Sequence, residues 1–193
     1  VMTALDAGIG RIVKQVDELG LRENTVVIVA SDNGASIRES LILETGTNAP
    51  FRGGRTETYE GGIRTACIAR WPARFKAGSV CREPIATIDF FPMLLGAAGV
   101  ELPTDRLIDG RDPTPTLAGK APSPHEFLFF EFRKWSGARS GRWKAVRPQP
   151  NRPFELYDLK TDWGETSDLA SEKPEILNRL TGAFARWRQD VVR

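Results

Sequence analysis

Apolar positions at the start of the chain recur at helical spacing. Met2, Leu5, Ile9, Ile12, Val13, Val16 and Leu19 share one stripe, and Gly20 follows where a helix would stop, so the pattern predicts an amphipathic helix ending there. Gly8 and Gly10 each weaken such a helix by about 1 kcal/mol relative to alanine. Close packing against a sheet is the expected compensation. At 25–30 the pattern changes to TVVIVA, a short continuous β-branched run that suits a strand buried on both faces, as in a parallel sheet. A second strand is expected in IRTACIARW at 63–71, stopped by Pro72. DFFPMLLGAAG at 89–99 reads as a helix, with Asp89 as N-cap, Pro92 in the first turn and Gly99 at the end.

Between these two strands, residues 35–62 show no clean period and are rich in Gly, Thr and Arg. A loop that long inside a compact domain is expected to be functional or disordered. Residues 100–124 are proline-rich and predict a linker. Shorter strands follow at EFLFFEF (126–132), RWKAV (142–146, after a Ser140-Gly141 turn) and FELYDL (154–159). A last helix is expected with Pro174 near its start and Ile176, Leu177, Leu180, Phe184, Trp187 and Val191 on one face. The predicted class is α/β: a domain over residues 1–99, the linker over 100–124, and a small α+β subdomain of antiparallel sheet plus helix over 125–193.

Composition narrows the partners. A chain of 193 residues with 40% hydrophobic content can build a packed core. Its formal net charge of +2 gives no reason to expect nucleic acid or an anionic membrane as partner. No apolar run approaches the roughly 18 residues of a membrane span. The N-terminus reads as amphipathic helix at once, so no signal peptide is expected. Cys67, in an apolar strand, is expected to be buried, and Cys81 to be a loop thiol; the two make no disulfide framework.

Two stretches carry candidate chemistry. The strand at 25–30 ends in SDNG at 31–34, which puts Asp32 and Asn33 at a strand's carboxyl end, where open α/β sheets bind ligands. A carboxylate and an amide oxygen are hard ligands suited to calcium or magnesium. PFRGGRTETYEGGIR at 50–64 sets arginines among glycine pairs. Glycine allows close backbone approach to a ligand, and the arginine fork suits a tetrahedral oxyanion. Taken singly, the first stretch also reads as a plain turn and the second as a solvated loop. Taken together they offer a metal to polarise ester oxygens and a cation to bear developing charge, which suits hydrolysis of a sulfate or phosphate ester.

In chain order, ENTVVIVASDNG, FRGGRTETYEGGIR, IARWP, TIDFFPMLLGAAG, IDGRD, SGRWKAV and ELYDLKTDWGETSDLA resemble the C-terminal half of the sulfatases (arylsulfatase-like), within the alkaline-phosphatase-like superfamily. The resemblance implies part of an alkaline-phosphatase-like sheet with flanking helices. It implies Asp32 and Asn33 as metal ligands for Ca2+, and Arg55 at the position of a lysine that contacts the substrate sulfate. Arginine keeps that charge on a broader planar fork. Trp163 stands where proline is usual, with an expected effect on packing only. Family members are often periplasmic, secreted or lysosomal.

The resemblance also implies what this chain lacks. The family's nucleophile is a formylglycine made within a C/S-x-P-S-R motif, but Cys67 is followed by Ile-Ala-Arg and Cys81 by Arg-Glu-Pro. The lone histidine, His125, matches no family site and is expected at the surface or as a cap. The isolated chain is therefore expected to be inactive and to bind calcium weakly or not at all. A homo-oligomer is expected through a sheet edge left exposed. Three readings stay open: the C-terminal portion of a sulfate-ester hydrolase, a phosphate or phosphonate ester hydrolase relative, and a non-catalytic binding or structural module.

Overall fold

The computed structural model describes residues 2–37 and 46–191. Helix α1 runs Met2–Glu18 and ends as its sequence requires. Gly20 takes a φ of 69°, and the Leu21 N–H reaches back to the Val16 carbonyl at 3.0 Å, closing a Schellman-type stop. Among the described residues the expected packing of Gly8 and Gly10 is absent: a Cβ at either would meet nothing within 4 Å, and α1 buries no residue. Of its stripe, Met2, Leu5, Ile12 and Leu19 are exposed, while Ile9, Val13 and Val16 are half-buried.

Strand β1 (Val27–Ala30) pairs with β2 (Cys67–Arg70), with Val27 opposite Arg70 and Ala30 opposite Cys67. The pairing is antiparallel. Among the described residues β1 has this one neighbour and is half-buried, so the expectation of burial on both faces between parallel strands is not met within this chain. Cys67 lies exposed, contrary to expectation; Cys81 is exposed as expected. The 35–62 loop includes residues 38–45, which lie outside the described residues; its last part winds into the short helix α2 (Glu60–Ile63).

Helix α3 (Phe90–Ala97) follows a 3-10 turn at Thr87–Asp89 and ends at Gly99, whose φ is 69°. The Asp89 carboxylate does not cap α3; it accepts the Ala86 N–H at 2.8 Å and so closes the preceding turn. Short helix α4 (Thr114–Leu117) falls within the proline-rich stretch.

The C-terminal part is a four-stranded antiparallel meander: β3 (Leu128–Phe132), β4 (Trp135–Ser140), β5 (Trp143–Arg147) and β6 (Glu155–Asp158). Strand β4, WSGARS, carries no strand signal in its sequence because it has no run of large apolar residues. Its Gly137 and Ala138 are nevertheless buried, since the sheet is covered on both sides. Helix α5 (Pro174–Val191) lays Leu180 and Phe184 on Ala138, Ala145 and Leu156. Full burial of each large side chain contributes about 1.5–3 kcal/mol. Alternation along the strands turns Val146 and Tyr157 to the opposite face, where they pack with Tyr59 of the loop. The Gly/Arg loop therefore sits on the C-terminal sheet. No described helix is long and apolar enough to cross a membrane.

Candidate active site

The glycines of the loop serve backbone packing first. A Cβ at Gly61 would run into the carbonyls of Gly53 and Arg52, and one at Gly62 into those of Gly54 and Glu57. Helix α2 thus lies directly under the Gly54–Glu57 segment, with the Gly61 N–H bonded to the Arg52 carbonyl at 2.7 Å. The same helix receives the SDNG segment: the Gly34 N–H donates to the Gly62 carbonyl at 3.0 Å. Asn48 clasps both sides. Its Oδ1 accepts the Ala35 N–H at 2.8 Å, while its Nδ2 donates to the carbonyls of Ala35 (2.8 Å) and Gly53 (3.0 Å).

The two candidate stretches are brought together by this packing. Asp32, Asn33 and Arg55 line one cavity, bordered also by β1, β2, the 79–87 segment and β3. Asp32 is exposed, and its Oδ1 accepts the Asn33 N–H at 3.0 Å. Asp32 and Asn33 suit a hard cation in kind. They supply two of the roughly six to eight oxygens that calcium takes, and among the described residues no three His, Cys, Asp or Glu side chains gather as a metal site.

The three arginines of residues 50–64 have different fates. Arg52 Nη1 donates to the Tyr157 hydroxyl at 2.9 Å and to the Glu165 carbonyl at 2.8 Å, and its guanidinium lies 3.9 Å from the Tyr59 ring centre. Arg64 lies over Phe51 and Trp163, 3.4 Å from Glu60 Oε2. Both are structural. Arg55 is exposed on the cavity; its backbone N–H is held by the Ala35 carbonyl at 3.1 Å, and its guanidinium makes no hydrogen bond or ion pair among the described residues. Trp163 pairs with Phe51 at 6.4 Å between ring centres, so the departure there fills space beside the loop.

Beneath the site lies a buried charge cluster that the sequence reading missed. Lys144 Nζ donates to Glu60 Oε1 at 2.9 Å and stands 2.8 Å from Glu165 Oε1 as an ion pair without hydrogen-bond alignment. Glu165 Oε2 accepts the Glu60 N–H at 2.6 Å, and Arg139 Nη1 approaches Glu60 Oε2 at 3.5 Å. All three side chains of the Glu60–Lys144–Glu165 set are at most 1% exposed. Burial alone would raise the Glu60 carboxyl, but Lys144, Arg139 and Arg64 hold it below the ordinary value; burial pushes Glu165 up, and Lys144 offsets only part. One signal was legible: alternation in Trp143-Lys144-Ala145-Val146 puts a lysine on the same face as a core valine.

His125 is neither a surface residue nor a backbone cap. Its ring, 7% exposed, bonds through Nε2 to Asp89 Oδ1 at 2.7 Å, and Asp89 also accepts the Arg111 N–H at 2.9 Å. The pair ties the start of the C-terminal part to the turn before α3.

The sulfatase family model matches residues 1–100. The chain belongs to the sulfatase family. A second model, the C-terminal region of N-sulphoglucosamine sulphohydrolase, matches residues 55–190. Steryl-sulfatase of Mus musculus is 42% identical, the match covering 95% of this chain and 36% of that protein. The crystal structure of the PsFucS1 sulfatase from Pseudoalteromonas sp. superposes with a TM-score of 0.84 at 25% identity, covering 97% of this chain and 41% of its own. The phosphonate monoester hydrolase from Silicibacter pomeroyi superposes with a TM-score of 0.72 at 25% identity, covering 96% and 38%. The architecture is the alkaline-phosphatase-like α/β fold of those sulfatases. This member spans little more than a third of the curated relative's length.

Proposed function

We propose that this sulfatase-family chain supplies the anion-binding arginine and two cation ligands of a sulfate-ester hydrolase. One observation carries the reading: of the three arginines in residues 50–64, Arg55 alone has a guanidinium with no hydrogen bond or ion pair among the described residues, on the cavity that Asp32 and Asn33 also line. Arg55 would pair with the ester's non-bridging oxygens and bear the charge that grows on them as the ester bond breaks. The Asp32 carboxylate and the Asn33 amide oxygen would hold calcium, with further oxygens from outside the described residues. Calcium bound there would supply Lewis acidity toward the ester oxygens. Neither Cys67 nor Cys81 lies in a C/S-x-P-S-R motif, so this chain's part is to bind and orient rather than to attack.

A phosphate or phosphonate ester is the second reading, favoured by the likeness to the phosphonate monoester hydrolase and by the same Arg55 geometry. Assays of aryl sulfate, aryl phosphate and aryl phosphonate separate them, run on the chain alone and on the chain joined to the N-terminal portion of a related sulfatase. The proposal expects no turnover by the chain alone and a preference for the sulfate by the joined protein. Preference for a phosphonate or phosphate selects the second reading, and turnover by the chain alone contradicts both.

A further inference from the structure

The segment that presents Arg55 is a strained turn. The Glu57 N–H donates to the Gly54 carbonyl at 3.0 Å, which makes Gly54-Arg55-Thr56-Glu57 a hydrogen-bonded β-turn. Thr56, its third residue, has a φ of 77°. Positive φ at that position is ordinary for glycine or asparagine and an outlier for a β-branched residue. Such conformations persist only when their surroundings over-determine them.

The surroundings here converge on α2. Gly62 packs against the carbonyls of Gly54 and Glu57, the two ends of the turn, so the position of α2 sets the position of the turn. Helix α2 begins at Glu60, whose N–H and carboxylate are both taken by the buried cluster, from Glu165 and from Lys144. Lys144 belongs to β5, in register with Arg139 of β4, so the fixing points belong to the C-terminal sheet. Glu165 also has a left-handed φ, 51°, and its carbonyl accepts from Arg52 at 2.8 Å. The turn is anchored laterally as well: the Thr58 hydroxyl donates to the Ser136 carbonyl at 3.1 Å.

We propose that Lys144 is a positioning residue: by clamping Glu60 against Glu165 it fixes α2, which holds the Arg55–Thr56 turn in its strained form and aims Arg55 into the cavity. The importance of that aim rests on the reading of Arg55 as the anion contact; the mechanical link does not. Lys144 does not line the cavity; it bonds to Glu60, which does. Its effect on Arg55 passes through α2.

The test is nuclear magnetic resonance on the full labelled chain. The left-handed conformation of Thr56 is read from its Cα and Cβ shifts and its N–H to Hα coupling. The sheet is monitored through amide protection in β4 and β5. Lys144→Met is expected to lose the Thr56 signature while the sheet amides stay protected, and Lys144→Arg to restore it. Should Lys144→Met not fold, Glu60→Gln keeps the shape while discharging the carboxylate, and the same loss is expected. A Thr56 signature that persists in a folded Lys144→Met or Glu60→Gln protein overturns the proposal. A sodium sulfate titration, with sodium chloride as control, is followed in parallel at Arg55 Nε. Shifts at Arg55 that weaken at least fivefold in Lys144→Met and recover in Lys144→Arg support the whole chain of inference. No sulfate response in the wild type removes the anion reading and leaves the Thr56 result to decide the positioning role.

Discussion

The Gly34 amide donates to the Gly62 carbonyl at 3.0 Å, tying the segment that bears Asp32 and Asn33 to the helix beneath the Arg55 turn. The contact is intolerant of a side chain, because a Cβ on Gly34 would enter the Gly61 carbonyl. Gly34→Ala is expected to destabilise the chain by about 1–3 kcal/mol, as overpacking does. Gly10→Ala, where a Cβ meets open space on a helix, is expected to stabilise by about 0.5–1 kcal/mol. Denaturant midpoints with unchanged slopes check both. Equal effects from the two changes would show that the Gly34 contact does not form.

Arg52 and Arg55 are three positions apart and should behave as different kinds of residue. Arg52→Ala removes two hydrogen bonds and a guanidinium–Tyr59 stack, and leaves the Tyr157 hydroxyl and Glu165 carbonyl short of a donor. A loss of about 1–3 kcal/mol is expected. Arg55→Ala removes an exposed group with no hydrogen bond or ion pair among the described residues and should stay within about 0.5 kcal/mol of the wild type. Thermal or denaturant unfolding distinguishes them, and a large loss in Arg55→Ala would mean that its side chain has a structural partner.

Glu60 and Glu165 depart from the ordinary carboxyl value of 4.5 in opposite directions. Glu60 is held low in the fold, so its contribution is present above 4.5 and is lost as pH falls through the lowered value. Glu165 is raised, so the fold binds its proton more tightly than the unfolded chain does. That contribution is present below 4.5 and is lost as pH rises through the raised value. Glu165→Gln should therefore abolish a decline in stability on the alkaline side of 4.5, and Glu60→Gln a decline on the acid side. Denaturant midpoints measured across acid and neutral pH check the signs. Curves for both variants that run parallel to the wild type would refute them.

Much of this was legible in the chain because it depends on local order. The α1 stripe with Gly20, the β-branched run of β1, the Pro174 start of α5 and the SDNG and RGGR stretches each carry their signal within a few residues. What escaped depends on distant partners. Glu60, Lys144 and Glu165 come from three separate segments, and no spacing announces that one lysine will stand between two carboxylates. Strand β4 escaped because Gly137 and Ala138 are small for a reason found elsewhere, Thr58 on one face and α5 on the other. The 50–64 stretch does not separate Arg55 from Arg52 and Arg64, because arginine beside glycine reads the same whether its fork faces solvent or a tyrosine. His125 gave no sign that Asp89 would bury it.

The β1–β2 pair leaves apolar surface open. Among the described residues β1 has one partner strand, Ile68 of β2 is 69% exposed, and Met2, Leu5, Ile12 and Leu19 of α1 are exposed. An unpaired strand edge beside an apolar patch templates association. The purified chain is expected to dimerise or form larger assemblies through this portion. Light scattering coupled to size exclusion measures it: a monomer at micromolar concentration that binds no hydrophobic dye would contradict the expectation.

The role of Arg55 is tested most directly by steady-state hydrolysis of an aryl sulfate. The protein to use is this chain joined to the N-terminal portion of a related sulfatase, with and without Arg55→Ala. The account predicts that kcat/KM falls by about 10²–10³, the loss typical of removing one oxyanion donor, with unfolding midpoints unchanged. An active joined protein whose kcat/KM is indifferent to Arg55→Ala would contradict it.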